Sequence, residues 1–273
     1  MELSVNYSEE VKELVEEGKI NFIDYLKLFS INGDLSPFDY CTSKGKVLFH
    51  GLIGNNSDIA RKDFLQNRDW ELQRKYFVES KIPHVSFHIS LGYKDIEFED
   101  EVSTIETIKR NVEGTRELFD YEVILENMPL RKSESQFFFL ARPEFISKVI
   151  EETGTYFLLD IAHARAAAYA LEIPYDEYIK GLPLDKIREI HLSGCNLMEN
   201  GEIIPNHDKM NEEDYEILNY LLKECKNLKV VTLEYGPYDM YTGKSYMKYG
   251  SVDAKRKQDV YENLLRLKEI LNK

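Results

Sequence analysis

Imidazoles and carboxylates stand at the ends of apolar runs along this chain. His50 closes VLFH, His88 closes VSFH, Glu126 closes VILE, Asp160 closes YFLLD and Glu234 closes VVTLE, while His191 lies in IREIHL. His163 and His207 join them from neighbouring loops. Imidazole nitrogens and carboxylate oxygens are the donor set that divalent transition metals take. Such groups are costly at the inner end of an apolar strand unless something compensates them. One shared metal cluster would compensate them all. A single ion uses three or four protein ligands, so eight candidates predict two or three ions, some bridged by carboxylates. A lone imidazole in such a place is ordinarily a satisfied core or surface residue. A lone carboxylate often caps the following helix, as Asp160 could. The joint pattern resists both readings. Of the six histidines only His84 falls outside it, as a strand-start residue after Pro83.

What must position these residues is a regular alternation. Apolar runs at 3–7, 22–29, 46–50, 84–91, 121–126, 155–160, 187–192 and 228–234 read as eight strands. Between them lie helical patterns: one opened by Ser8, a charged segment over 56–80, then 102–119, 143–152, the alanine-rich AHARAAAYAL, a short helix near 175–179, one capped by Asn211 and a final one over 252–271. Strands alternating with helices predict a parallel sheet. At 273 residues, closure into a single-domain (β/α)₈ TIM barrel is the simplest architecture. A doubly wound open sheet would want a glycine-rich phosphate turn after an early strand, and none is present. Active sites of such barrels lie at the C-terminal strand ends. His50, Glu126, Asp160 and Glu234 would be last in their strands, with His191 near its end. Ser86, His88 and Ser90 would share one face by alternation.

Composition bounds the partners. A formal net charge of −14 repels phosphate backbones at long range and argues against nucleic acid. No run approaches the roughly 20 apolar residues of a membrane span. The N-terminus carries early acidic residues and does not read as a signal peptide. Cys41, Cys195 and Cys225 are odd in number and widely spaced, which predicts reduced thiols and a cytoplasmic protein. Asn127, Arg165 and Cys195 are candidate substrate contacts. Their ordinary readings are a turn residue, an exposed helix arginine and an inert buried thiol. The tyrosines of EYGPYDMYTGKSYMKYG, 234–250, read as a lid loop or as an apolar cluster capping the barrel.

The order His50, His88, Glu126, Asp160-x-x-His163, His191, His207, Glu234 resembles the xylose-isomerase-like TIM barrels, including the metal motif of endonuclease IV. That motif has an aspartate two residues before the late histidine, where this chain has Pro205; Asp208 is the candidate substitute. Over nearly its full length the chain is similar to the multinuclear non-haem iron-dependent oxidative enzymes, such as the methanobactin and 3-thiaglutamate pathway oxidases. SVNYSEEVKELVEEGKINFIDYLKL, VLFHGLIGN, VSFHISLG, VILENMP and above all LPLDKIREIHLSG carry the likeness. LLDIAHAR departs from that family's more usual Asp-x-Asn-Asn by placing His163 where an asparagine is common.

The resemblance implies a di- or tri-nuclear site, with iron the expected metal and zinc or manganese the alternatives. It also implies oxidation of a cysteine-containing peptide with dioxygen, often with a small partner protein presenting the peptide. His50, His88, Glu126, Asp160, His163, His191, His207 and Glu234 would be the ligands. Glu126 and His163 would be the catalytic candidates, His163 as a ligand or as a base behind the ligands. An endonuclease IV-like phosphodiesterase acting on abasic DNA, a sugar isomerase or epimerase, and a barrel that binds metal without turnover stay open as alternatives.

Overall fold

Short runs rich in valine, leucine and isoleucine alternate with amphipathic helices, and parallel strands joined by crossover helices satisfy that pattern. The computed structural model describes the chain except residues 30–34, 46, 54–56, 67–68, 81, 92–99, 199–200, 237, 240–243, 246–251 and 273. The elements run β1 (Glu2–Asn6), α1 (Glu9–Glu16), β2 (Tyr25–Phe29), α2 (Ser36–Lys44), β3 (Val47–His50), α3 (Trp70–Ser80) and β4 (His84–His88). Next come α4 (Glu101–Leu118), β5 (Glu122–Glu126), a 3₁₀ turn (Lys132–Phe137), α5 (Phe138–Ala141), α6 (Pro143–Thr153), β6 (Tyr156–Asp160), α7 (Ile161–Leu171) and α8 (Tyr175–Gly181). The chain continues through β7 (Ile187–Leu192), β8 (Gly194–Leu197), β9 (Ile203–Asp208), α9 (Glu212–Glu224), β10 (Val230–Leu233) and α10 (Ala254–Ile270).

Among the described residues, eight parallel strands close into a barrel in the order β1, β10, β7, β6, β5, β4, β3, β2. This is the (β/α)₈ barrel that the alternation predicts. Outward residues of the strands, such as Val5, Leu28, Phe49, Phe87, Leu125, Phe157, Ile190 and Val231, are buried against the helices. Burying each such side chain contributes roughly 1.5–3 kcal/mol before chain entropy is counted. Helix starts are capped where expected. Ser8 accepts the Val11 N–H at 3.2 Å. Asn211 and Asp214 exchange side-chain and backbone bonds in a reciprocal box.

The barrel interior differs from the usual filling of branched apolar residues. Leu48, Ile124 and Leu158 are fully buried, but Lys27, Ser86, Glu189, His191 and Thr232 are buried at 0% exposure alongside them. Register places donors side by side at the C-terminal rim: His88 is level with Glu126, Asp160 with His191, and His50 with Ser86.

Two expectations are corrected. The segment 56–80 is helical only from Trp70; its described earlier part is turns, and Asp58 bridges to the β4 end at His88. Here Ser57 O accepts the His88 N–H at 2.7 Å, so the apolar spacing of Ile59 and Phe64 serves a loop folded onto the barrel. His207 lies not in a loop but in β9, half of an antiparallel hairpin with β8 that stands apart from the barrel. Gly194 permits that hairpin, since a Cβ there would collide with the Lys209 carbonyl. Of the proposed lid, Tyr235 is buried, whereas Tyr241, Tyr246 and Tyr249 lie outside the described residues. No helix among the described residues is long and apolar enough to cross a membrane.

Candidate metal centre

Inward alternation carries β3, β4 and β5 to one corner of the barrel mouth. His50 Nε2 and His88 Nε2 face each other at 3.1 Å. That spacing suits two nitrogens each about 2.1 Å from one ion. Glu126 Oε2 lies 3.3 Å from His50 Nδ1 and 3.5 Å from His88 Nε2. Ligand atoms of these three residues lie within 4.8 Å of one another.

The same glutamate turns its other oxygen to a second group. Glu126 Oε1 is 3.4 Å from His191 Nδ1, which is 3.0 Å from Glu234 Oε2 and 3.9 Å from Asp160 Oδ2. Glu126, Asp160, His191 and Glu234 form a second group within the same 4.8 Å limit, and all four are buried. Asp160 divides its oxygens: Oδ1 caps α7 by accepting the His163 N–H at 2.7 Å, and Oδ2 is left for the mouth. Capping and ligation, which compete as readings of the sequence, are compatible in the structure.

His163 and His207 belong to neither group but border them. His163 Nδ1 donates to the Asn127 carbonyl at 3.0 Å, and its Nε2 points toward Asp160 Oδ2 at 4.0 Å. His207 Nδ1 lies 3.7 Å from Glu234 Oε2, and its ring centroid is 6.0 Å from that of His163. The β9 backbone reaches this position with His207 at φ 53°.

Burial and mutual charge set the protonation pattern. Burial alone would raise the Glu126 carboxyl, but His191, His50 and His88 overcome it and hold the group far below the usual range. Glu234 is likewise held low against burial by His191 and His207. Burial, reinforced by Glu234 and Glu126, pushes Asp160 up to about 7 despite His163. Burial and Lys27 oppose a proton on His191, yet Glu234 and Glu126 hold it well above the usual imidazole range. Burial holds His50 well below that range and lowers His207. On His163, burial is outweighed by Asp160, Glu126 and Glu234, and the pKa rises.

A cation fits these donors. Glu126 Oε1 and Oε2, Asp160 Oδ2, His191 Nδ1, His207 Nδ1 and Glu234 Oε2 are buried without a hydrogen-bond partner. Buried polar atoms are nearly always satisfied, and six orphans converging on one mouth are what metal ions would satisfy together.

The remaining candidates are occupied by the protein. Asn127 spends its amide on the Asp160 backbone, accepting the N–H at 2.9 Å and donating to the carbonyl at 3.0 Å, which ties β5 to β6. The Arg165 guanidinium pairs with Asp214 at 2.9 Å and lies over the Tyr175 ring. Cys195 Sγ donates to the Ala162 carbonyl at 3.7 Å, and burial pushes its thiol up to about 12. Asp208, the candidate substitute for the residue missing at Pro205, accepts the Lys209 N–H and joins neither group. Lys27 and Glu189, which lie directly beneath His191, are not among the strand-end candidates of the sequence. The signal was there in parity, since Glu189 stands two residues before His191 on the same strand face.

Residues 34–236 match the model of a family described as RiPP precursor modification enzyme MbnB/TglH/ChrH. A UPF0276 protein of Psychromonas ingrahamii is 28% identical over 159 residues, 54% of this chain and 52% of that protein. The chain thus spans between 35% and 57% of the length of the curated relatives it matches. Among solved structures, the IOLI protein with a bound zinc atom superposes with a TM-score of 0.63 at 14% identity, covering 99% of this chain and 98% of its own. An AP endonuclease, family 2, from Brucella melitensis does so with a TM-score of 0.56 at 14% identity, covering 89% and 96%. At such identities the likeness is one of fold.

Proposed function

The chain belongs to the MbnB/TglH/ChrH family of RiPP precursor modification enzymes, and from that premise we propose that it is an iron-dependent oxidase acting on a cysteine-containing peptide. The observation that carries the reading is the placement of Glu126, with one oxygen toward His50 and His88 and the other toward His191. A carboxylate so placed is suited to bridge two ions. His50, His88 and Glu126 would hold one. Asp160, His191 and Glu234 would hold a second with Glu126. His163 and His207 border the space where a third would lie.

A donor set of imidazoles and carboxylates suits ferrous iron. Bound iron supplies one-electron chemistry with dioxygen and a coordination position for a thiolate. The chain's own residues provide the rest. Asn127 fixes Asp160 and, through its carbonyl, the ring of His163. His163 can thereby hold a proton at Nε2 beside the mouth or serve as a ligand there. The barrel interior, where Lys27, Glu189 and Thr232 are wholly buried beneath His191, closes the deep side to water. The substrate arrives from the side of His88, whose side chain is 21% exposed, with a small partner protein presenting the peptide. We place the enzyme in the cytoplasm, where its thiols stay reduced.

The test is anaerobic loading with ferrous iron, then exposure to air with a cysteine-bearing precursor peptide and its partner. A mass change in the peptide that requires iron and oxygen is expected. No iron uptake, or an unchanged peptide, contradicts the reading.

A hydrolytic reading draws on the same shared carboxylate, since paired ions bridged in this way also activate water. Cleavage of abasic duplex DNA by the zinc- or manganese-loaded protein would put it first. The net charge of −14 weighs against that substrate.

A further inference from the structure

Beneath the mouth lies a polar layer that the proposed chemistry does not touch. Glu189 is its hub. Its Oε1 accepts from Lys27 Nζ at 2.7 Å and from Thr232 Oγ1 at 2.5 Å. Its Oε2 lies 2.7 Å from His84 Nε2, and His191 Nε2 is 3.2 Å from Oε1. Lys27 Nζ also lies 2.6 Å from His191 Nε2. Glu189, Lys27, Thr232 and His191 are 0% exposed and His84 is 2% exposed. His84, the one histidine outside the strand-end pattern, is therefore tied to the same assembly from below.

A buried ion pair of this kind is weak evidence for stability, because desolvation offsets its attraction. Its position suggests another use. His191 Nε2 faces Glu189 Oε1 and Lys27 Nζ, and Nδ1 faces Glu234 and Glu126. Nδ1 has a lone pair for an ion in the tautomer whose Nε2–H donates to Glu189, the partner of the two that accepts. The other imidazoles of the mouth are hydrogen-bonded to uncharged groups, His50 Nδ1 to Ser86 Oγ at 2.8 Å, His88 Nδ1 to Ser57 Oγ at 3.0 Å and His163 Nδ1 to the Asn127 carbonyl. The carboxylate near His50 Nδ1 and His163 Nδ1 is Glu126 of the centre itself, at 3.3 and 3.4 Å. A carboxylate behind a ligating imidazole fixes its tautomer and orientation and raises its basicity. Hydrogen bonds to ionised groups are roughly twice as strong as neutral ones.

We infer that Glu189, braced by Lys27, His84 and Thr232, is a positioning residue that presents His191 Nδ1 to the carboxylate-rich metal position and so sets how tightly that position alone holds its ion. This rests on the metal-centre reading above. Cobalt(II) titration of the full chain, read by visible absorption and by total metal per chain, tests it. The comparison is with a Lys27→Met/Glu189→Gln double variant, which removes both charges together and strands neither. The wild type is expected to fill at least two positions. The double variant is expected to keep the wild-type circular dichroism and to weaken one position by about 10–100-fold. The position built on His50 and His88 should keep its affinity and spectrum. Unchanged binding, or equal weakening at both positions as a merely structural role would give, overturns the inference and leaves the metal centre standing. A wild type that takes up no cobalt overturns both. Should the double variant fail to fold, Thr232→Val deletes one donor to Glu189 and keeps the pair. A several-fold loss confined to the same position supports the inference, and no loss overturns it.

Discussion

The two donor groups share Glu126 and differ in nearly everything else. The outer one pairs His88, with 21% of its side chain exposed, with His50, and its imidazoles are steadied by serine hydroxyls. The inner one sets three carboxylates around His191, whose side chain is 0% exposed, and an ionic layer lies beneath it. One is nitrogen-rich and accessible, the other oxygen-rich and enclosed. On the proposed reading the outer position would exchange external ligands and the inner one would retain an ion that neutralises buried charge.

The largest expected effect comes from the residue that both share. Glu126→Gln should empty both positions, with a loss of affinity beyond the ~10–100-fold of an outer hydrogen-bond partner, measured as metal per chain after dialysis. Retention of one full-strength position would show that Glu126 does not bridge.

Next in size are the reciprocal variants. His88→Ala should weaken the outer position and spare the inner, and Asp160→Asn should do the reverse, each followed by cobalt absorption. Identical behaviour of the two would merge the groups into one site and dissolve the comparison.

Acidity should separate them as well. Ligands must shed their protons to bind metal. Asp160 sits at about 7 and His191 well above the usual range, whereas His50 is held well below it. A group whose pKa is raised takes up its proton at a higher pH as the solution is acidified, so the inner position, with Asp160 at about 7, should lose affinity first between about pH 8 and about pH 6, by roughly tenfold per unit for each proton displaced. Isothermal titration in two buffers of different ionisation enthalpy would count the released protons. Simultaneous loss at both positions would contradict the assignment.

The smallest effect is expected from Ser86→Ala, which takes the hydroxyl from His50. A loss of about tenfold at most in outer-position affinity and ~1 kcal/mol in stability should follow, with the inner position unmoved.

Much of this is legible in the sequence. His50, His88, Glu126, Asp160, His191 and Glu234 each close or nearly close an apolar run, and strand ends of a (β/α)₈ barrel meet at one rim. What escaped notice has physical reasons. Lys27 sits between Leu26 and Leu28 and Glu189 beside Ile190, and charges inside apolar runs read as strand edges or surface unless pairing across the barrel is known. Lys27 and His84 lie 162 and 105 residues from Glu189 in sequence. The β8–β9 hairpin is short and contains Pro205, which demotes a run from strand to loop. Before Trp70, the apolar spacing of Ile59 and Phe64, compatible with a helix, belongs to a loop that contacts with β4 hold in place.

The shared-carboxylate centre is tested most directly by anomalous X-ray diffraction from crystals of protein loaded with ferrous iron without air. Iron peaks on both sides of Glu126 are predicted, one between His50 Nε2 and His88 Nε2 and one among Asp160, His191 and Glu234. Crystals with no iron at the barrel mouth, or with those side chains hydrogen-bonded to water alone, would contradict it.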